Sequence, residues 1–188
     1  MRRWASNNHA QQDFDDYVQA FATIAAAAAA ENLQVISPTV RKGTGEGQEA
    51  WWLAQFLGAC NEDTTYSCDE DAIALFDLHN YNCKASKWGT DSNSFLVQMK
   101  DDLKTELAAL AAAGRTDRSA SEWATWVDAR SIWVTETSCN WESNPPDNVG
   151  SCERNAEKHD AAWGTGSVIA LDNSPMVSRW AWWTTFRV

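Results

Sequence analysis

The chain is short of positive charge: 15 Lys and Arg stand against 26 Asp and Glu, a formal net charge of -11 over 188 residues. Such a surface repels phosphate backbones instead of neutralising them, which argues against nucleic acid as the main partner. Long hydrophobic runs are also scarce. The one extended apolar stretch, the alanine run from Ala25 to Ala30, is too short and too weakly hydrophobic to span a bilayer, so no membrane partner is expected. Met1-Arg2-Arg3-Trp4 leads straight into polar Asn7, Asn8 and His9 with no apolar segment behind it, unlike a secretory leader. Neither G-x-G-x-x-G nor G-x-x-x-x-G-K-[ST] occurs, so the loops that cradle nucleotide phosphates are missing. The three histidines, at positions 9, 79 and 159, form no H-E-x-x-H pair, and the five cysteines form no C-x-x-C, so no metal and no cofactor is expected. No Pro- or Ser-rich linker divides the chain, and residues 1–188 are expected to form a single domain.

Tryptophan, by contrast, is abundant, with 12 residues. Its flat apolar face stacks well on a sugar ring while its N–H finds a polar partner, which leans toward a polysaccharide ligand; the alternative for any one of them is the core. Cys60, Cys68, Cys83, Cys139 and Cys152 are spread as in a disulfide-bonded extracellular protein, with free thiols of a cytosolic protein as the alternative.

Periodicity alternates along the chain. Asp13 can cap a helix carrying Phe14, Tyr17, Val18, Phe21 and Ile24 and continuing to about Ala30. Leu33 to Val40 reads as a strand. Glu46 to Leu57 reads as a helix ending at Gly58, and Ala72 to Leu78 as a strand. Phe95, Met99, Leu103, Leu107 and Leu110 mark a helix closed by Gly114; Trp123 and Trp126 mark a further turn or helix, and Ser131 to Thr135 a strand. Cys152 to about Leu171 is mostly helical in pattern, and Met176 to Trp183 is a last strand. Four strands separated by helices imply βαβ units and a parallel α/β sheet. Without nucleotide loops the barrel form is favoured over a doubly wound sheet, and barrel chemistry sits where the strands end. Those positions are Asp77, His79 and Tyr81, then Glu136, then Trp182 and Trp183.

Val35-Ile36-Ser37-Pro38-Thr39-Val40, Trp51 to Leu57, Asp77-Leu78-His79-Asn80-Tyr81, Ile132-Trp133-Val134-Thr135-Glu136 and Arg179-Trp180-Ala181-Trp182-Trp183 occur in this order. Together they resemble the alkali-sensitive-linkage type of glycosyl hydrolase, glycoside hydrolase family 128, a group of β-1,3-glucanases built as TIM barrels. The resemblance implies an incomplete (β/α)8 barrel holding about the last four strands with their helices. It implies Glu136 as the catalytic nucleophile and His79 and Tyr81 as ligands of sugar hydroxyls or of the nucleophile. Trp182 would be a stacking platform, and the partner a β-glucan. Trp180 and Trp183 are expected to point elsewhere, Trp183 because successive strand residues face opposite sides. The parent protein would be extracellular or in the cell wall.

One departure from the family matters. Its acid/base is a Glu in an N-E-P motif; aligned on Asn8-His9-Ala10, the Glu position falls on Ser6 and the Pro on Asn7, with Asp13, Asp15 and Asp16 left in the following helix. The chain alone is therefore expected to turn over little, whether as a truncated gene product, which the start at Met1 favours, or as a decayed relative. A non-catalytic polysaccharide-binding protein and a ligand-free remnant are the alternatives. A half barrel leaves sheet edges uncovered, which predicts poor solubility or pairing with another half. Placed in a barrel, Cys60 and Cys68 fall at the bottom face and Cys139 and Cys152 at the top. Those are the expected pairs, leaving Cys83 over.

Overall fold

The computed structural model describes residues 14–38, 40–41, 48–79, 90, 92, 94–137 and 167–182, with the backbone alone at 14, 15, 40, 41, 48, 49, 137, 167, 168 and 182. Helix α1 (Phe14–Ala30) is followed by two short strands, β1 (Val35–Ile36) and β2 (Val40–Arg41). Helix α2 (Gln48–Asn61) leads to a 3-10 turn (Glu70–Ala72) and strand β3 (Ile73–His79). Helices α3 (Phe95–Ala112) and α4 (Ala120–Asp128) precede β4 (Ser131–Thr137), and α5 (Ser167–Asn173) precedes β5 (Val177–Trp182).

All described strands pair in parallel. β1 and β2 lie along one edge of β3, β4 along the other, and β5 beyond β4. Sequence order and spatial order coincide, with no reversal among the described strands. A doubly wound sheet reverses at its switch point, and the unreversed order is compatible with part of a (β/α) barrel wall. No described helix is long and apolar enough to cross a membrane.

Local chemistry accounts for the element ends. The Ser94 hydroxyl accepts the Leu96 N–H at 3.1 Å and starts α3. At its other end Gly114 adopts φ +63°, while Arg115 N–H bonds the Leu110 carbonyl and Gly114 N–H that of Ala111, a Schellman closure at the expected glycine. Ser119 and Glu122 form a reciprocal capping box on α4.

Two of the boundaries that differ from expectation have a local cause. The strand expected over Leu33–Val40 is broken into β1 and β2 at Ser37-Pro38, because proline has no N–H to donate to a ladder. Ser37 bridges the break: its N–H bonds the Leu75 carbonyl at 2.9 Å and its hydroxyl accepts the Asp77 N–H at 2.9 Å. Helix α2 does not stop at Gly58 but runs to Asn61. Gly58 serves packing instead, since a Cβ there would stand 3.0 Å from Leu110 Cδ1 of α3.

The core fills the space between one face of the sheet and the helices. Phe76, Leu78, Ile132 and Val134 meet Leu53, Phe56 and Leu57 of α2, Leu103 and Leu107 of α3, and Trp123 and Val127 of α4. On α1 the buried stripe is Val18, Phe21, Ala22 and Ala25, whereas Ile24, expected on it, is exposed. At the N-terminal edge of the sheet lies a polar clamp. Arg118 Nε donates to Glu70 at 2.8 Å and its Nη2 to Asp71 at 2.6 Å, and Trp126 Nε1 donates to Asp71 at 2.7 Å. Arg130 lies 3.6 Å over the Trp126 ring and donates to the Ile73 carbonyl. The Cys60–Cys68 disulfide closes the same end, as expected, with Cα atoms 5.2 Å apart. Cys83, Cys139 and Cys152 lie outside the described residues.

Candidate active site

The opposite, C-terminal edge gathers a different set of side chains. Asp77 and His79 stand two apart on β3, so they share a face. The strands run further than expected: both residues lie within β3 and Glu136 within β4, not beyond their ends.

A register shift decides where Glu136 points. Leu78 pairs with Val134 but His79 pairs with Glu136, so β4 advances two residues where β3 advances one. Against β5 the same offset appears, with Val134 opposite Trp180 and Thr137 opposite Trp182. Strand β4 thus carries one extra residue, Thr135, in a bulge. Without it, alternation would give Glu136 the face of Val134, which is fully buried toward the helices. With it, Glu136 stands opposite His79, and its Oε2 lies 3.6 Å from His79 Nδ1.

The other imidazole nitrogen, Nε2, lies 4.0 Å from Asp77 Oδ2. Both separations exceed a hydrogen bond; they are close electrostatic contacts. Asp77 is 2% exposed, His79 19% and Glu136 32%. The cluster therefore grades from a buried carboxylate, through an imidazole, to a carboxylate open to solvent. Thr135 Oγ1 donates to Asp77 Oδ1 at 2.5 Å.

The structure brings together two of the four expected site residues, Glu136 and His79. Tyr81 lies outside the described residues, and for Trp182 the backbone alone is described, in register with Thr137. Trp180 is turned to the helical side, its indole N–H donating to Asp172 of α5 at 2.7 Å. Ser37 and Thr135 were not singled out from the sequence, and Asp77 was placed at the strand end without a role. The D-x-H spacing on one strand was the available signal for Asp77; the bulge that recruits Thr135 leaves none. Trp133 occupies the Thr135 face one step lower, with the Arg179 guanidinium 5.8 Å from its ring. Among the described residues no group of His, Cys, Asp and Glu is arranged to hold a metal ion.

A family model described as glycosyl hydrolase catalytic core matches residues 4–188. No curated protein and no solved structure matches the chain.

Proposed function

The chain belongs to the glycosyl hydrolase catalytic core family, and on that premise we propose that it acts on a β-1,3-glucan by a retaining reaction with Glu136 as the nucleophile. The observation that carries this reading is the β4 bulge, which turns the Glu136 carboxylate out of the helical layer to stand 3.6 Å from His79 at the C-terminal edge of a parallel sheet. In barrels that edge carries the chemistry.

In the first half of the reaction a Glu136 oxygen bonds to the anomeric carbon and the bond to the leaving oxygen breaks, that oxygen taking a proton from an acid. In the second half water attacks the same carbon, giving a proton to the conjugate base of that acid, and the bond to the Glu136 oxygen breaks to release the carboxylate. His79 can donate an N–H to the Glu136 carboxylate or to a sugar hydroxyl. Tyr81 is proposed beside it as a hydroxyl ligand, and Trp182 as a stacking platform for a glucosyl ring. Asp77, the second carboxylate of the cluster, is buried and bonded by Thr135, which suits it poorly to protonating a departing sugar. Leaving groups that need no proton are therefore expected to depart far faster than a glucosyl oxygen. We read the sheet as part of a (β/α)8 barrel, and the Cys60–Cys68 disulfide supports an oxidising, extracellular setting.

The test is release of reducing ends from a soluble β-1,3-glucan, run beside Glu136→Gln and beside an activated aryl β-glucoside. Aryl cleavage that vanishes in the variant, with glucan cleaved slowly, supports the reading; aryl cleavage that survives in folded Glu136→Gln contradicts it.

A further inference from the structure

Asp77 is an expensive residue to hold in this sheet. A carboxylate taken out of water at 2% exposure is costly unless it is partnered, and an apolar side chain would cost less to bury at the same position. Its two oxygens are divided. Oδ1 accepts the Thr135 hydroxyl at 2.5 Å, and Oδ2 faces His79 Nε2 at 4.0 Å. Its own N–H is tied to the Ser37 hydroxyl in the break between β1 and β2. Asp77 is thus fixed by one neighbouring strand and grips a residue of the other.

That gripped residue is the extra residue of the β4 bulge. A bulged residue lacks its regular ladder partner, so its conformation needs another anchor, and a one-residue slip here would move the next side chain to the opposite face. The next side chain is Glu136. We propose that Asp77 is a positioning residue that pins the β4 bulge through the Thr135 hydroxyl, and so sets where the Glu136 carboxylate stands. The inference rests on the reading of Glu136 as nucleophile.

The geometry separates the task of Asp77 from that of His79. Asp77 and Thr135 set the backbone from which Glu136 projects, and the imidazole contacts the Glu136 carboxylate itself. Removal of the hydroxyl-to-carboxylate bond should release the bulge, and the isosteric change Thr135→Val does that with little change of shape.

The experiment is the rate at which Glu136 is covalently labelled by a dinitrophenyl β-glucoside bearing fluorine beside the anomeric carbon. Here a Glu136 oxygen bonds to the anomeric carbon and dinitrophenolate departs with the bonding electrons, so no acid is needed. The adduct is located by mass spectrometry on full-length protein whose folding is checked by thermal melting. Thr135→Val and Asp77→Ala should each lower the saturating labelling rate about tenfold or more, since displacements of about 1 Å can cost ~100-fold. The half-saturating probe concentration should stay near that of the parent chain, Thr135→Ser should restore the rate, and the double variant should be no slower than the slower single one. Labelling of folded Thr135→Val at the parent rate, or additive losses in the double variant, would overturn the inference while leaving Glu136 as nucleophile. Failure of the parent chain to label at Glu136 would overturn the nucleophile and this inference with it.

Discussion

The two ends of the sheet both carry carboxylates and treat them oppositely. At the N-terminal edge Glu70 and Asp71 are met by Arg118, with Arg130 and the Trp126 indole also on Asp71, and the disulfide closes the same corner. At the C-terminal edge Asp77 and Glu136 flank an imidazole, and the bond on Asp77 comes from a hydroxyl. The lower clamp is held by guanidiniums, which keep their positive charge in a protein, whereas the upper cluster sets two acidic side chains against an imidazole. On the proposed reading of Glu136, the first end serves stability and the second serves chemistry.

Changes at the two ends should therefore separate chemistry from stability. The largest effect is expected for Glu136→Gln, which should slow covalent labelling or aryl-glucoside cleavage by at least ~1000-fold while leaving the melting temperature within error, because the side chain is one-third exposed. The converse comes from Trp123→Ala, at a fully buried indole whose N–H donates to Thr116; it should cost about 3–5 kcal/mol in a denaturant titration. Preserved cleavage per folded molecule would complete the contrast, and loss of cleavage without loss of stability would break it. Reducing the Cys60–Cys68 bridge should cost about 2–3 kcal/mol, the entropy of closing a short loop in the unfolded chain, again with the site unchanged.

The smallest effect concerns pH. Burial acts to raise the pKa of Asp71, but hydrogen bonds from Arg118 and Trp126 and the charges of Arg118 and Arg130 outweigh it, so the carboxyl titrates below its ordinary value. A carboxyl depressed on folding stabilises the protein above its unfolded pKa, near ~4, and that contribution disappears as pH falls through the lower folded value. Asp71→Asn should therefore cost about 1 kcal/mol at neutral pH, a modest figure because the side chain is more than half exposed, and should flatten the acid limb of the stability curve. An unchanged acid limb would remove Asp71 from the clamp.

The architecture was legible wherever one periodicity ruled a segment. The helix closed by Gly114 stands where spacing placed it, and β3 and β4 stand over their expected segments with longer C-terminal ends, because each buries one regular face. Gly58 misled because the same residue serves as a helix stop or as a site of close helix contact, and only the position of Leu110 distinguishes the two. Ser37-Pro38 read as the middle of a strand because its flanking valines and isoleucine kept the apolar pattern across a missing donor. In the candidate site, Glu136 and His79 drew notice through motif and strand position, and the structure sets them 3.6 Å apart. The Thr135 bulge was not, since a bulge is a mismatch between two strands and leaves no mark in either one alone. By strict alternation Glu136 would have faced the helices.

The most direct test of Glu136 as nucleophile is the product formed by Glu136→Ala from an activated aryl β-glucoside in the presence of azide. Azide entering the space vacated by the carboxylate attacks from the same face, and the expected product is the α-glucosyl azide, formed at a rate that rises with azide concentration. A folded variant that still hydrolyses the glucoside with azide having no effect would contradict the assignment.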